Sequence, residues 1–477
     1  MARHILQLSA ASILALSQTA TAAPPIEQHV TEQGLTVLVV ENHAVPLVTI
    51  EIAVKNGSMT ESPEYNGLSH LYEHMFFKAN KALPSQEAYL ARVHDLGMLW
   101  NGTTNTERVN YFFTTTSDHL SDAMVFMRDA IVSPLFDEKE LAREREVVVG
   151  EIERNFSTPG YHLWHDVQMR VFWKFPSYKR PLGDIKTVRA ATQAKMKTIQ
   201  ERYYLPNNSV LVVAGDVRAK DIFAQSDELY KSWKRGPDPF VKFPLVKHPP
   251  IEKSEVFMVE QPVGTVQGEF VWHGPSTVGK DVALTYAADL FSVALSEPSS
   301  RFQKAVVESG ACLSAGIEWY TQMNTGPITL AFHAAADKVD SCVKAIQAEL
   351  PKMKEPGYVS PDEMKSAAQS IEISFIRDRE TSARYAHNIT FWWTSAGLDY
   401  YMSYIDNVKK VSQPDIARYL DTYVLGKNFV FGVMVSIEMT KQGLTYDHFA
   451  RLVNIPIEPA KTAQVVPAKP IAKKGGK

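Results

Sequence analysis

The stretch "GLSHLYEHMFFK", Gly67–Lys78, places two histidines and a glutamate within five residues, at His70, Glu73 and His74. Residues four apart on an α-helix lie on one face, so the two imidazoles can bind one metal ion together. Glu73 follows His70 by three residues and lies on the same side. The opposite face is an apolar stripe that is predicted to pack on the domain, namely Leu68, Leu71, Tyr72 and Met75. The pattern predicts an amphipathic helix that carries half of a metal site.

The pattern is short, and an ordinary amphipathic helix with incidental polar groups is the alternative. By composition, an H-x-x-E-H string arises by chance in about two chains of this length in a hundred. Histidine is the commonest metal ligand, and a catalytic zinc site uses three protein ligands and leaves the fourth position to water. A third ligand is therefore required from elsewhere in the chain.

A second helix is predicted over the charged segment "DEKELAREREVVVGEIERNF", residues 137–156. Most of its acidic residues suit a solvated face, but Glu144 and Glu151 are seven apart and return to nearly the same azimuth. Val147 and Val148 share that azimuth, which predicts a buried face. Carboxylates on a buried face need partners. A metal ligand, and a second carboxylate that supports another ligand, would have such partners.

The composition of the 477-residue chain indicates its broad class. Apolar residues make up 45% and charged residues 22%, as in soluble globular proteins. The length predicts at least two domains. The formal net charge is −3, from 50 basic and 53 acidic residues, and this balance argues against a nucleic-acid binder or a polybasic membrane anchor.

Strand and helix patterns alternate in clusters, which predicts an α+β fold with helices covering mostly antiparallel sheets. The second half weakly repeats the first, since "SSRFQKAVVESGACLSAGIEW" (299–319) echoes "SQEAYLARVHDLGMLWNGTT" (85–104). The two copies are about 210 residues apart. The predicted domains are residues 23–235, which contain the metal motif, and residues 254–458, which lack it. A proline-rich linker without periodicity, residues 236–253, joins them.

Both ends of the chain are predicted to lie outside these domains. Residues 1–22 have a basic start, a short apolar run and small residues before a cut after Ala22, which is typical of a cleaved signal peptide. The mature protein is therefore expected to be exported, to the periplasm if the source is bacterial. Residues 459–477 contain five lysines and no acid and are expected to form a disordered basic tail. Cys312 and Cys342 could pair in an oxidising compartment, and whether they do stays open.

Together, the two helical motifs resemble the signature of the inverzincin zinc metallopeptidases, the insulinase/pitrilysin group that includes the mitochondrial processing peptidases. That signature is H-x-x-E-H, about 69 residues, then E-x6-E. Here about 69 residues separate His74 from Glu144, and six separate Glu144 from Glu151. The resemblance extends to "NGTTNTERVNYFF" and the duplicated halves, and it covers essentially the mature chain except its tail. The pattern is similar to that of the bacterial subfamily close to the mitochondrial processing peptidases.

The resemblance implies one zinc ion per chain, with His70, His74 and Glu151 as its ligands. It also implies that Glu73 is the base that takes a proton from the attacking water, and that Glu144 orients an imidazole. The chemistry agrees with these roles, because zinc lowers the pKa of water to about 7 and stabilises charge that develops on the scissile carbonyl.

The same resemblance implies how the substrate is held. The strand that contains "GMLWNGTT" would add the peptide to the sheet through backbone hydrogen bonds. Asn101 would hold the peptide backbone, and Phe77 would line the pocket beside the zinc. For Asn101 an ordinary hairpin position, and for Phe77 an ordinary core position, are the open alternatives.

The second half departs from the family pattern. Family members carry an Arg and a Tyr there that close over the peptide, and Val307 and Leu313 stand at these positions. We therefore predict a zinc-bearing subunit of a heterodimer, whose homologous partner carries the Arg and the Tyr but no zinc ligands. The predicted activity is endopeptidase cleavage of short or unfolded peptides. A non-catalytic subunit resembling the core proteins of respiratory complexes is one alternative, and an active homodimer that uses other donors, such as Tyr320, is another.

Overall fold

The computed structural model describes residues 25–456, so the predicted signal peptide (1–22) and basic tail (459–477) lie outside the described residues. Within this range the chain forms two sheets, each covered by helices, and no helix is long and apolar enough to cross a membrane.

The first sheet has six strands in the order β1-β2-β6-β3-β5-β4. The strands are β1 (Glu27–Val30), β2 (Thr36–Glu41), β3 (Leu47–Val54), β4 (Leu99–Thr104), β5 (Val109–Thr116) and β6 (Ser209–Gly215). Only the β2–β6 pair is parallel. Strand β6 is buried along its whole length, which explains its unbroken run of small and apolar residues. Strand β4 lies at the edge of the sheet.

The second sheet repeats this topology, in the order β7-β11-β8-β10-β9. Its strands are β7 (Glu255–Glu260), β8 (Val266–His273), β9 (Ser314–Trp319), β10 (Pro327–Ala334) and β11 (Val430–Val435). The parallel pair β7–β11 corresponds to β2–β6, and the edge strand β9 corresponds to β4. The predicted α+β class with two homologous halves is confirmed.

Helices cover both sheets. Those that precede the second sheet are α1 (Leu68–Phe76), α2 (Gln86–Asp95), α3 (Leu120–Val132), α4 (Glu138–Phe156), α5 (Pro159–Val171), α6 (Ile185–Arg189), α7 (Gln193–Tyr203), α8 (Ala219–Tyr230) and α9 (Pro239–Lys242). Those that lie between or after the strands of the second sheet are α10 (Ala283–Ser296), α11 (Arg301–Gln303, continued by a π-helical turn at Lys304–Glu308), α12 (Val339–Glu349), α13 (Pro361–Arg377), α14 (Ser382–Ser395), α15 (Leu398–Val408), α16 (Gln413–Tyr423), α17 (Ile437–Lys441) and α18 (Tyr446–Leu452). Helix α9 lies inside the segment that was predicted to be an irregular linker.

Each half lends one helix to the sheet of the other. Helix α5 of the first half buries Leu163 and Val167 against the second sheet, where they meet Val271. Helix α14 of the second half buries Tyr385 and Ile389 against the outer face of the first sheet. Burial of apolar area at these two contacts stabilises the association of the halves.

Two buried charged side chains of the first half also form hydrogen bonds with the backbone of one turn of the second half. The carboxylate of Glu107 accepts hydrogen bonds from the backbone N–H groups of Met323 (2.8 Å) and Asn324 (3.0 Å). The ammonium of Lys179 donates to the carbonyl oxygens of Asn324 (2.6 Å) and Thr325 (2.7 Å). Because both groups are buried, each stabilises the charge of the other.

Cys312 and Cys342 are joined by a disulfide, which settles a point that the sequence left open. The bond links the segment that enters β9 to the first turn of α12.

Candidate metal centre

Helix α1 is held at its start by a buried carboxylate. Glu61 accepts hydrogen bonds from the backbone N–H groups of Gly67 (2.7 Å) and Ser69 (2.6 Å), which have no partner inside the helix. Gly67 has φ = +91°, and a Cβ on Gly183 would lie only 2.2 Å from the Gly67 Cα atom. This contact admits only glycine, and it sets the position from which the helix starts.

The apolar stripe of α1 faces the core as predicted. Leu68, Leu71, Tyr72 and Met75 are all fully buried. The ring of Tyr72 stacks on that of Tyr204 at 4.0 Å between centroids. Packing of this stripe fixes the rotation of the helix, so His70, Glu73 and His74 emerge on the opposite side.

Helix α4 crosses α1 and brings the third predicted ligand to the two histidines. The Oε2 atom of Glu151 lies 3.5 Å from Nε2 of His70 and 3.7 Å from Nε2 of His74. One ligand atom from each of the three residues lies within 4.8 Å of the others. Bonds of about 2.0–2.2 Å to one tetrahedral ion would place ligand atoms roughly 3.3–3.6 Å apart, so the three residues fit a single ion.

Glu144, which lies about two helical turns before Glu151 on α4, supports one of these histidines. The N–H at Nδ1 of His74 donates to Oε2 of Glu144 at 3.1 Å, which leaves Nε2 free to face Glu151. Lys78 binds the other oxygen of Glu144 at 2.8 Å. Burial alone would raise the pKa of Glu144, but the hydrogen bonds from His74 and Lys78 outweigh it and hold the pKa below its usual value.

Glu73 lies beside the three ligands and is buried. Loss of solvation raises its pKa, and a 2.7 Å hydrogen bond from the hydroxyl of Thr104 to its Oε2 partly offsets that rise. Strand β4 comes so close that a Cβ on Gly102 would lie 2.9 Å from Oε1 of Glu73. A buried carboxylate with a raised pKa and a fixed orientation is suited to accept a proton.

The two imidazoles differ in their electrostatic surroundings. Burial and the neighbouring His74 lower the pKa of His70 to about 4, so its ring is neutral and has a lone pair to offer. Burial would lower the pKa of His74 too, but its bonds to Glu144 and Glu151 outweigh this and raise it to about 9. Two imidazoles and one carboxylate are a donor set that zinc accepts in catalytic sites.

The predicted substrate-binding residues lie on or beside the edge strand β4. The side chain of Asn101 is exposed and accepts a hydrogen bond from the backbone N–H of Gly102 (2.9 Å). Phe77 is buried and packs against Trp100 at 4.5 Å between ring centroids. Leu99 is 73% exposed on the same strand.

Sequence reasoning was wrong on one point and missed two residues. Val148 is buried as predicted, but Val147 is 47% exposed, because it lies about 100° of helical rotation from Val148 and outside the face that α4 buries. Lys78 and Thr104 were missed. Their only signals were the four-residue step from His74 to Lys78 and the strand alternation that puts Thr104 on the side of Gly102.

The two positions where the family pattern places an Arg and a Tyr both precede the second edge strand, β9. Val307 lies in the π-helical turn and packs against the second core. Leu313 is 57% exposed just before β9. Arg301 instead forms ion pairs with Glu349 and Glu355 at 3.7 and 4.0 Å.

Comparisons with known proteins agree with this architecture. Residues 36–184 match the model of the insulinase family (peptidase family M16), and residues 190–371 match that of the peptidase M16 inactive domain. The chain is 25% identical to zinc protease PqqE of Helicobacter pylori over 393 residues, which are 80% of this chain and 87% of that protein.

Two further similarities cover different shares of the chain. The chain is 24% identical over 271 residues to a probable mitochondrial-processing peptidase subunit beta of Arabidopsis thaliana, which covers 56% of this chain and 50% of that one. The crystal structure of a protease from Helicobacter pylori superposes with a TM-score of 0.76 at 20% identity, covering 86% of this chain and all of that one, and this similarity concerns the fold alone. From the two matched family models, the chain belongs to peptidase family M16, the insulinase family.

Proposed function

We propose that this chain is a zinc-dependent endopeptidase subunit that hydrolyses peptides or unfolded polypeptides. The observation that carries the proposal is the convergence of His70, His74 and Glu151, with ligand atoms within 4.8 Å of one another, beside the buried carboxylate of Glu73. A structural subunit would have no need for a third ligand, brought by a second helix, or for a carboxylate poised beside it.

His70, His74 and Glu151 would hold the metal, and Glu144 would fix the ring of His74. A zinc ion held there would polarise an attacking water and the scissile carbonyl. Glu73 would accept the proton of that water at Oε1, because its Oε2 is engaged by the hydroxyl of Thr104.

The substrate would add to the first sheet along β4. That strand lies at the edge of the sheet, so one row of its backbone groups is available to a peptide. Asn101 would hold the peptide backbone, and Phe77 would support the pocket through its contact with Trp100.

A homologous chain would complete the enzyme. The side chains of Val307 and Leu313 cannot donate a hydrogen bond to a developing oxyanion. The donors that close over the peptide must therefore come from elsewhere. The name of the Arabidopsis relative describes it as a subunit, which supports a two-chain enzyme. The partner proposed for this chain carries the Arg and the Tyr and lacks the zinc ligands. The signal-like residues 1–22 support a place outside the cytoplasm, in the periplasm of a bacterium.

The test uses the purified full chain, alone and with its homologous companion. Zinc content is measured by mass spectrometry and turnover with a quenched fluorescent peptide. Glu73→Gln should keep about one zinc per chain and lose at least about a thousandfold in kcat. Glu153→Gln changes an exposed carboxylate of α4, the helix that carries Glu151, and should leave the zinc content and kcat unchanged.

Two outcomes would contradict the proposal. Turnover that survives in Glu73→Gln would remove the assigned base, and a chain that binds no zinc would remove the metal site. Full activity of the chain alone, unaffected by the companion, would remove the two-chain proposal and leave the peptidase assignment standing.

A further inference from the structure

The loop that joins β9 to β10, residues 320–326, contacts the first half through two buried charges. Glu107 accepts hydrogen bonds from two backbone N–H groups of this β9–β10 loop. The ammonium of Lys179 donates to the side chain of Gln322 and to two backbone carbonyl oxygens of the loop. The side chains of Glu107 and Lys179 are 1% and 4% exposed. They come from separate parts of the first half, and each part leads to the candidate metal centre.

Glu107 belongs to the turn between β4 and β5, residues 105–108. The side-chain oxygen of Asn105 closes this turn by accepting hydrogen bonds from two of its backbone N–H groups, at 2.9 and 2.8 Å. Thr104, the last residue of β4, directly precedes the turn and donates the 2.7 Å hydrogen bond to Glu73. A shift of Glu107 would therefore move the end of the strand that orients the proposed base.

Lys179 lies in a segment that fixes the start of α1. The side-chain amide of Asn66, just before this helix, donates to the carbonyl oxygens of Ser177 (3.0 Å) and Arg180 (3.1 Å). The hydroxyl of Ser177 donates to the carbonyl oxygen of Glu61 (3.0 Å), whose carboxylate binds the first N–H groups of α1. The backbone on both sides of Lys179 therefore holds the start of the helix that carries two metal ligands and the proposed base.

Helix α1 and strand β4 must keep a close spacing at the metal centre. The hydrogen bond between Thr104 and Glu73 joins them, and a Cβ on Gly102 would lie only 2.9 Å from Oε1 of Glu73. Catalytic groups must be held within roughly 0.5 Å of their productive positions. Because the start of α1 and the end of β4 are both bound to the β9–β10 loop, this loop can set their spacing.

The β9–β10 loop has the rigidity that such a role requires. Thr325 has φ = +57°, a left-handed conformation that β-branched residues rarely adopt, and its carbonyl oxygen accepts from Lys179 at 2.7 Å. Unfavourable backbone conformations persist where the surrounding contacts determine them. A Cβ on Gly326 would lie 1.8 Å from the carbonyl oxygen of Tyr320, so the loop closes tightly on itself.

We propose that Lys179 and Glu107 are positioning residues for the peptidase reaction, through which the β9–β10 loop sets the spacing of α1 and β4 at the metal centre. This inference rests on the proposed function. It gives the half that lacks the metal motif a direct role in the geometry of the metal centre. The alternative is a buried pair that only holds the two halves together, as the packing of α5 and α14 does.

The first test measures hydrogen–deuterium exchange of the metal-free full chain by mass spectrometry, at a temperature where circular dichroism shows every variant to be folded. In Lys179→Met, the amides at the start of α1 should exchange about tenfold faster, because the segment that holds them loses its contact with the loop. The double variant with Glu107→Gln leaves no uncompensated charge and should show at least the same increase. Ile389→Ala weakens the contact of α14 on the opposite face of the first sheet and should leave the exchange of α1 unchanged.

The second test measures the geometry of the metal ligands. Cobalt(II) is loaded in place of zinc, and its visible absorption spectrum reports the arrangement of its ligands. This spectrum should change in Lys179→Met and in the double variant and should keep its wild-type form in Ile389→Ala. With the companion chain and a quenched peptide, kcat of Lys179→Met should fall about tenfold, because the proposed base is displaced.

Either an unchanged exchange of α1 or an unchanged cobalt spectrum in folded Lys179→Met would overturn the inference. Changes of equal size in Ile389→Ala would also overturn it, because they would show a general effect of loosening the two halves. Where Lys179→Met does not fold, the double variant decides by the same criteria. The exchange measurement needs neither metal nor turnover. A chain that binds no cobalt would therefore contradict the metal site, while exchange alone would still decide the coupling between the loop and α1.

Discussion

The hydroxyl of Thr104 donates a 2.7 Å hydrogen bond to Oε2 of Glu73, so the edge strand orients the carboxylate beside the three converging ligands. This bond stabilises the ionised form and counteracts the effect of burial on the pKa of Glu73. The strand proposed to hold the substrate therefore also positions the proposed base.

Removing this hydroxyl should shift the pH dependence of turnover. In Thr104→Val the pKa of Glu73 should rise further, because the lost hydrogen bond stabilises the ionised carboxylate and a hydrogen bond to a charged group is worth about 1.5 kcal/mol or more. Because the base must be ionised, the acid limb of the kcat/KM profile should move to higher pH. Thr104→Ser should restore the wild-type profile. An unshifted limb in Thr104→Val would exclude the positioning role.

Replacement of Glu144 should weaken metal binding without removing a ligand. In Glu144→Ala the N–H at Nδ1 of His74 loses its acceptor, and zinc affinity should fall about 10- to 100-fold. Competition with a fluorescent chelator measures the change. Glu153→Gln, on the exposed side of the same helix, is the control. An unchanged affinity in Glu144→Ala would show that Glu144 does not support the ligand set.

A methyl group at Gly102 should impair turnover more than stability. Its Cβ would lie 2.9 Å from Oε1 of Glu73 and 3.0 Å from the ring of Phe77. The end of a glutamate side chain can move aside, so Gly102→Ala should fold and bind zinc, but kcat should fall about a hundredfold because the carboxylate is displaced. Gly316→Ala, in the edge strand of the second half, has open space around its Cβ and should leave kcat unchanged. Wild-type kcat in Gly102→Ala would contradict the close approach.

The buried pair between the halves should be cooperative. Lys179→Met leaves the carboxylate of Glu107 uncompensated and should lower the free energy of unfolding by about 3–5 kcal/mol. The double variant with Glu107→Gln should lose less than the sum of the single losses. Chemical denaturation measures the three values, and Lys186→Met, on the exposed side of α6, is the control. Additive losses would show that the two charges do not interact.

Glu269, a partly buried carboxylate of β8 that no side chain within residues 25–456 binds, should make stability depend on pH. Its folded-state pKa of about 7 lies above the usual value of 4.5, so its contribution to stability is fully present below about 4.5 and is lost as the pH rises through 7. Glu269→Gln should therefore melt at the same temperature as the wild type near pH 4.5 and at a higher temperature at pH 8. A difference in melting temperature that does not vary with pH would contradict the raised pKa.

Local sequence patterns were sufficient for much of this fold. The helical repeat placed His70 and His74 on one face and Leu68 and Tyr72 on the other, and the structure agrees. The weak internal repeat predicted two halves, which the matching strand orders confirm. The first pattern depends on the geometry of neighbouring residues, which is the same in every helix. The second depends on the similarity between two stretches of the sequence. The linker bounds at residues 236–253 stay a prediction.

The sequence by itself determined which residues could bind a metal, because helical periods act over a few residues. It also indicated that the fold occurs twice, because two stretches of the chain resemble each other. Only the tertiary structure decided that Glu151 meets His70 and His74, and that α5 and α14 cover the sheets of the opposite halves. It also decided that Glu51 lies beside the cation of Arg108, whereas Glu269 has no cation beside it among residues 25–456. These relationships join residues far apart in the chain. They depend on how whole elements pack, which no local period encodes.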